Sequence, residues 1–121
     1  NTISLVDIAT MLDLIIIVSA LAVLHFIADF ILQSDYVARN KSKNNWVLLE
    51  HVTIYSLPFI AFVSPLYALI NAILHLCVDY VTSRLTSKLW ASGEVHWFFV
   101  VIGLDQLLHI LSLIWTYYLL F

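Results

Sequence analysis

The chain has 121 residues and reads as one domain, 1–121; 63% of it is hydrophobic against roughly 45–50% in soluble domains, and only 11% is charged against about 25%. That balance excludes a disordered tail, a collagen-like repeat and a disulfide-stapled module, and leaves too little polar surface to cover a soluble globule. A net charge of −3 gives no case for a nucleic-acid partner, and the single Cys77 cannot form an intrachain disulfide.

The composition instead suits an all-α polytopic membrane protein with the lipid bilayer as its main partner. A bilayer core of about 30 Å takes about 20 mostly apolar helical residues. Residues 1–9 are too few to span and are expected to lie along the interface, with Leu5 and Ile8 inward. No cleavable leader is visible, because a basic n-region is missing. The first span is expected over residues 10–32, running on to Asp35 and Tyr36. The second covers residues 46–63 and is short, with Glu50 and His51 in its first turns. Ser64 and Pro65 make a very short connection, which predicts a tight antiparallel hairpin with the third span, residues 66–85. The fourth covers residues 95–120. The expected fold is a four-transmembrane-helix bundle.

All five basic residues fall between spans: Arg39, Lys41 and Lys43 after the first, Arg84 and Lys88 after the third. With four spans those loops share one side, and the positive-inside rule makes it cytoplasmic, with both termini outside. Trp46, Trp90 and Trp97 mark the inner interface. Tyr67, Trp115, Tyr117 and Tyr118 mark the outer one. An internal echo accompanies this layout. VLHFIADFIL from Val23 and ILHLCVDYVT from Ile73 share Leu-His-x-x-x-Asp-aromatic-aliphatic, as two parallel helical-hairpin repeats would.

The informative residues are the ionisable ones inside spans: His25, Asp29, His51, His75, Asp79, Asp105 and His109. Such groups cost a few kcal/mol each to insert and usually face a bundle interior or a water-filled cavity. His25–Asp29, His75–Asp79 and Asp105–His109 are i,i+4 pairs, so each pair occupies one helix face. At about 1.5 Å per residue, Asp29 lies about 15 Å from Arg39 and His51 about 12 Å from Lys43. The four polar faces therefore meet at similar depth in the cytoplasmic half. The three aspartates have no adjacent lysine or arginine. Buried carboxylates of that kind are protonated, bonded to histidinium or bound to a metal.

Imidazole with carboxylate suits Zn²⁺, Mn²⁺ or Fe²⁺. Seven candidate ligands exceed the needs of one tetrahedral ion, so two ions are expected, or one with the rest as supporting groups. His25, Asp29, His75, Asp79 and His109 are the expected ligands. Asp105 would bridge ions or act as base, and His51 would complete a shell or act as acid. A hydrogen-bond network that glues helices, or a proton relay, competes with the metal reading. Gln106 is expected to bond between helices, His96 to sit at the inner interface, and Cys77 to face lipid or pack.

The runs HFIADFILQSDYVARNK, LLEHVTIY, LHLCVDYVTSRL and LDQLLHIL, in that order, resemble an uncharacterised bacterial and phage inner-membrane family of unknown function. The resemblance picks out His25, Asp29, Gln33, Asp35, Arg39, Asn40, Lys41, His51, His75, Asp79, Asp105, Gln106 and His109. It raises the standing of Gln33, Asp35 and Gln106, and it implies a bacterial inner membrane but no activity. The leading expectation is a metal-dependent hydrolase acting on a lipid-linked or amphipathic substrate. The alternatives are a metal-ion or proton transporter or channel, and a structural membrane subunit; a homo-oligomer stays open. Outward of His25 the first span is almost wholly apolar, which speaks against a through-path.

Overall fold

The computed structural model describes residues 2–121 and is all-α. Helix α1 spans Leu5–Phe26 and runs on into a π-helical turn, Ile27–Ile31; α2 is Asp35–Asn40, α3 Asn45–Phe62, α4 Pro65–Ala91 and α5 Val95–Leu120. Among the described residues, three stretches are long and apolar enough to cross a membrane: Leu5–Ile31, Pro65–Ala91 and Val95–Leu120.

Local chemistry explains where each helix starts and stops. Ser4 caps α1 through a capping box: its Oγ accepts from the Asp7 amide at 3.1 Å, and Asp7 Oδ2 accepts from the Ser4 amide at 3.1 Å. The helix therefore begins five residues before the expected position 10, and residues 5–9 are helical. Leu5 is 85% exposed, not turned inward. At its other end the expected continuation to Tyr36 does not occur. The Leu32 amide bonds the Ile27 carbonyl, closing an i→i+5 turn. Ser34 Oγ then accepts from the Val37 amide and starts α2 as a separate helix.

Ser64 caps α4 with Pro65 at its first position, and α3 and α4 form the expected hairpin. Helix α4 runs to Ala91, six residues beyond the expected end, so Arg84 and Lys88 are helical rather than in a loop. Thr82, Ser83 and Thr86 are buried on its inner face and keep the helix going. Gly93, at φ 73°, reverses the chain, with its amide on the Trp90 carbonyl.

The interior divides in two. The half nearer the termini is apolar: Leu21, Tyr55, Phe59, Tyr67, Ala68 and Leu113 are buried together with Ala28. There Tyr67 Oη donates to the Leu113 carbonyl at 2.7 Å, and Asn71 Nδ2 to Thr116 Oγ1 at 2.9 Å, tying α4 to α5. The other half is polar and lies towards the α2–α3 and α4–α5 turns. Large apolar side chains cover the outside, as in a helix assembly solvated by lipid.

Candidate metal centre

Four helices deliver the polar half. Helix α1 and its π-turn bring His25 and Asp29, α3 brings His51 and Tyr55, α4 brings His75 and Asp79, and α5 brings Asp105, Gln106 and His109. His25, Asp29, His51, His75, Asp79, Asp105 and His109 are all buried. The i,i+4 spacing holds each pair on one face, and the π-turn encloses Asp29.

The tightest group is Asp29, His51, His75 and Asp79. His51 Nε2 lies 3.0 Å from Asp29 Oδ1, 3.4 Å from Asp79 Oδ2 and 3.1 Å from His75 Nε2. His75 Nε2 lies 3.7 Å from Asp29 Oδ1 and 3.3 Å from Asp79 Oδ2. Four ligands about 2.0–2.2 Å from one ion form a tetrahedron with edges of about 3.3–3.5 Å. Five of the six edges here run from 3.0 to 3.7 Å. Hydrogen bonding accounts for the group poorly, because one N–H on His51 serves only one of three atoms within reach. His75 is locked in place. Its ring stacks between Tyr55 and His109, with centroids 3.9 Å away on each side.

A second group, Asp29, Asp105 and His109, shares Asp29 with the first. His109 Nε2 lies 3.1 Å from Asp105 Oδ1 and 3.3 Å from Asp79 Oδ1. Thr82 Oγ1 donates to Asp105 Oδ1 at 2.5 Å. Gln106 Nε2 donates to Asp29 Oδ2 at 3.2 Å and to Asp105 Oδ2 at 3.1 Å. Asp29 and Asp79, rather than Asp105, carry oxygens on both sides of the site.

His25 belongs to neither group. Its Nδ1 meets Tyr55 Oη at 2.9 Å and its Nε2 meets Gln106 Oε1 at 2.7 Å, so both nitrogens are engaged. It steadies Gln106 and Tyr55 instead. Gln106 is the interhelical hydrogen bonder expected of it. Glu50, Cys77 and His96 are exposed and away from the centre.

One expectation is overturned. Asp79 does have a basic partner: Lys41 Nζ bonds its Oδ2 at 2.8 Å, with the lysine side chain 16% exposed. The short α2 and the turn after it fold back under the site and carry Lys41 in. Ser42 Oγ, bonded to Ser87 Oγ at 2.8 Å, holds the turn against α4. Reading by helix periodicity left Lys41 in a loop; the signal that included it was the Arg-Asn-Lys run of the family resemblance. Asp29 and Asp105 keep only histidine, amide and hydroxyl neighbours.

Beneath the centre a cavity of about 830 Å³ opens between α2, α4 and α5. Asp29, Asp79, Asp105 and Gln106 form its inner wall, and Arg39, Lys41 and Lys43 lie along its α2 side.

The chain is thus an all-α protein with helices long and apolar enough to cross a membrane and a buried histidine–aspartate centre able to hold a metal ion. It belongs to a family described as protein of unknown function DUF3307, matched over residues 15–121. No curated protein and no solved structure matches it.

Proposed function

We propose that the chain is a four-span membrane hydrolase whose histidine–aspartate centre holds two divalent cations. The observation that carries this reading is the set of five nitrogen and oxygen separations of 3.0–3.7 Å among Asp29, His51, His75 and Asp79. That quartet supplies four ligands to the first ion. Asp29, Asp105 and His109 supply three to the second, which leaves an open position, as in catalytic sites. A divalent ion, when bound, supplies a Lewis acid and a water of lowered pKa. Asp105 borders the cavity and is placed to accept a proton there, held by Thr82 and Gln106. The two Leu-His-x-x-x-Asp motifs each contribute an aspartate to the quartet, in keeping with a hairpin repeat. Co²⁺ loading tests the geometry: the intense visible bands of four-coordinate Co²⁺ are expected, and they weaken in His75→Ala as the quartet's contribution is lost. Only the weak bands of octahedral Co²⁺ would contradict a tetrahedral quartet.

A conduit is the competing reading, and the apolar half of the interior speaks against it. Leu21, Phe59, Tyr67 and Leu113 fill the half of the interior nearer the termini, and the Asn71–Thr116 pair supplies little polarity there. An enzyme needs access from one side only.

Helix α3 is the fourth span. Its 18 residues reach about 27 Å, and its His51 and Tyr55 are buried at the centre. The α3–α4 hairpin then puts the α2–α3 and α4–α5 turns on one side. By the basic residues that side is the cytoplasm, and by the family resemblance the membrane is the bacterial inner membrane. Cysteines placed at Lys43 and Ser92 are expected to resist impermeant maleimide in intact cells and to react after permeabilisation. Ready labelling from outside would reverse the orientation.

A further inference from the structure

The cavity has more chemistry than a metal centre requires. Arg39, Lys41 and Lys43 all border it, against the three carboxylates Asp29, Asp79 and Asp105. The charges of these two sets balance, so each divalent ion added gives the cavity a surplus of positive charge. An anionic ligand restores neutrality. Two buried polar atoms on the same walls, Ser83 Oγ and Gln33 Oε1, have no hydrogen-bond partner within the protein. Ser83 is 8% exposed, and an unmatched buried hydroxyl is costly unless a ligand completes it.

The remaining wall is apolar. Phe30 from the π-turn and Phe99 and Ile102 from α5 border the cavity while staying 49%, 61% and 38% exposed. They belong at once to the cavity and to the outer, lipid-facing surface. A ligand with its head among the basic and hydroxyl groups can therefore leave its chain in the bilayer past these three side chains. The volume, about 830 Å³, falls within the range of about 300–1,000 Å³ for small-molecule sites.

We propose that this cavity binds the phosphate head of an amphipathic substrate. Arg39 and Lys43 contact the phosphate, Ser83 donates to it, and the acyl or prenyl chain lies against Phe30, Phe99 and Ile102. The assignment rests on the hydrolase reading, whose substrate class it names. Arginine suits phosphate because its planar fork meets two oxygens at once.

The test uses metal-loaded protein in phosphatidylcholine nanodiscs, with three probes: dioctanoyl phosphatidic acid, dioctanoyl phosphatidylcholine and inorganic phosphate. Phosphatidic acid is expected to bind at least about tenfold more tightly than either of the others, since only it joins acyl chains to a head of net negative charge; the choline of phosphatidylcholine cancels its phosphate. The double variant Arg39→Gln/Lys43→Gln is expected to lose about tenfold in phosphatidic acid affinity, and Arg39→Lys/Lys43→Arg to lose less. Ser83→Ala gives a smaller loss in a protein that keeps all its charges. Metal content, measured on the same samples, is expected to be unchanged in every variant. Phosphatidic acid binding no better than phosphatidylcholine overturns the proposal. Inorganic phosphate binding equally well overturns its amphipathic part. A protein without metal that still prefers phosphatidic acid overturns the metal reading and leaves the head-group site standing.

Discussion

Replacing Asp79 with alanine should strip the first ion and destabilise the protein by about 3–5 kcal/mol, the range for removing one partner from a buried charge network. Asp79 is 1% exposed and touches four nitrogens: Lys41 at 2.8 Å, His75 and His109 at 3.3 Å, and His51 at 3.4 Å. Alanine leaves the Lys41 ammonium without its carboxylate and three imidazoles without an acceptor, in an interior that cannot solvate them. Asp79→Asn separates the two effects. It keeps the volume and one acceptor oxygen, so it should unfold less readily than the alanine variant while losing the ion as completely. Thermal melting in detergent, with metal content measured on the same samples, reads both quantities. An Asp79→Ala protein that melts with the wild type would mean that the network contributes nothing to stability.

The second large effect is the loss of metal-dependent stabilisation in His51→Ala. A ligand that binds only the folded state adds RT ln(1 + [L]/Kd), about 2.7 kcal/mol at one hundred times Kd. Wild-type protein freed of metal should therefore gain several degrees in melting temperature on addition of Zn²⁺ or Mn²⁺. His51→Ala should gain clearly less, from the ion held by Asp29, Asp105 and His109 alone. His51 Nε2 sits within 3.4 Å of each of the other three quartet atoms, so its removal opens three of the five measured edges at once. Alanine at His25 makes the contrast. His25 hydrogen-bonds Tyr55 and Gln106, and its Nε2 lies 3.6 Å from Asp29 Oδ2 but outside the quartet, so that variant should be less stable yet still respond to added metal. An equal response from His51→Ala and wild type would place the cation elsewhere.

Much of this site was legible because a helix converts spacing into direction. Three i,i+4 pairs of histidine and aspartate had to lie on three faces, and their depths along the spans were countable from the basic residues. The edges of α3 and α5 followed from hydropathy and from the turns between them. The misread segments had other causes. Ser4-x-x-Asp7 is a capping signal, but it lies in a stretch set aside as too short to span. The π-turn at Ile27–Ile31 has no periodic signature, and the chain reversal after it depends on Ser34 capping α2. Lys41 therefore looked like a loop charge, although the fold seats it on Asp79. Helix α4 outran its expected end because Arg84 and Lys88 were read as loop markers. On α4 they lie off the buried face that Thr82, Ser83 and Thr86 form. The stacking of Tyr55 on His75 depends on how α3 meets α4, which helix spacing does not encode.

Asp79 is neutralised within the protein by Lys41, so unpaired charge alone no longer requires a metal there. The tetrahedral edge lengths and the shortage of donors around His51 now carry the case. The same fold-back that brings in Lys41 places Arg39 and Lys43 along the cavity, so one chain reversal supplies both a partner for the centre and a basic wall facing it.

Elemental analysis of protein purified without chelator tests the central claim most directly. Two divalent ions per chain are expected in the wild type. Asp105→Ala should keep one, because the Asp29–His51–His75–Asp79 quartet survives, and His51→Ala/His75→Ala should lose the ion that this quartet holds. No stoichiometric metal in the wild type, with no uptake of added Zn²⁺ or Mn²⁺, would contradict the account and leave the centre a hydrogen-bonded network of histidines and aspartates.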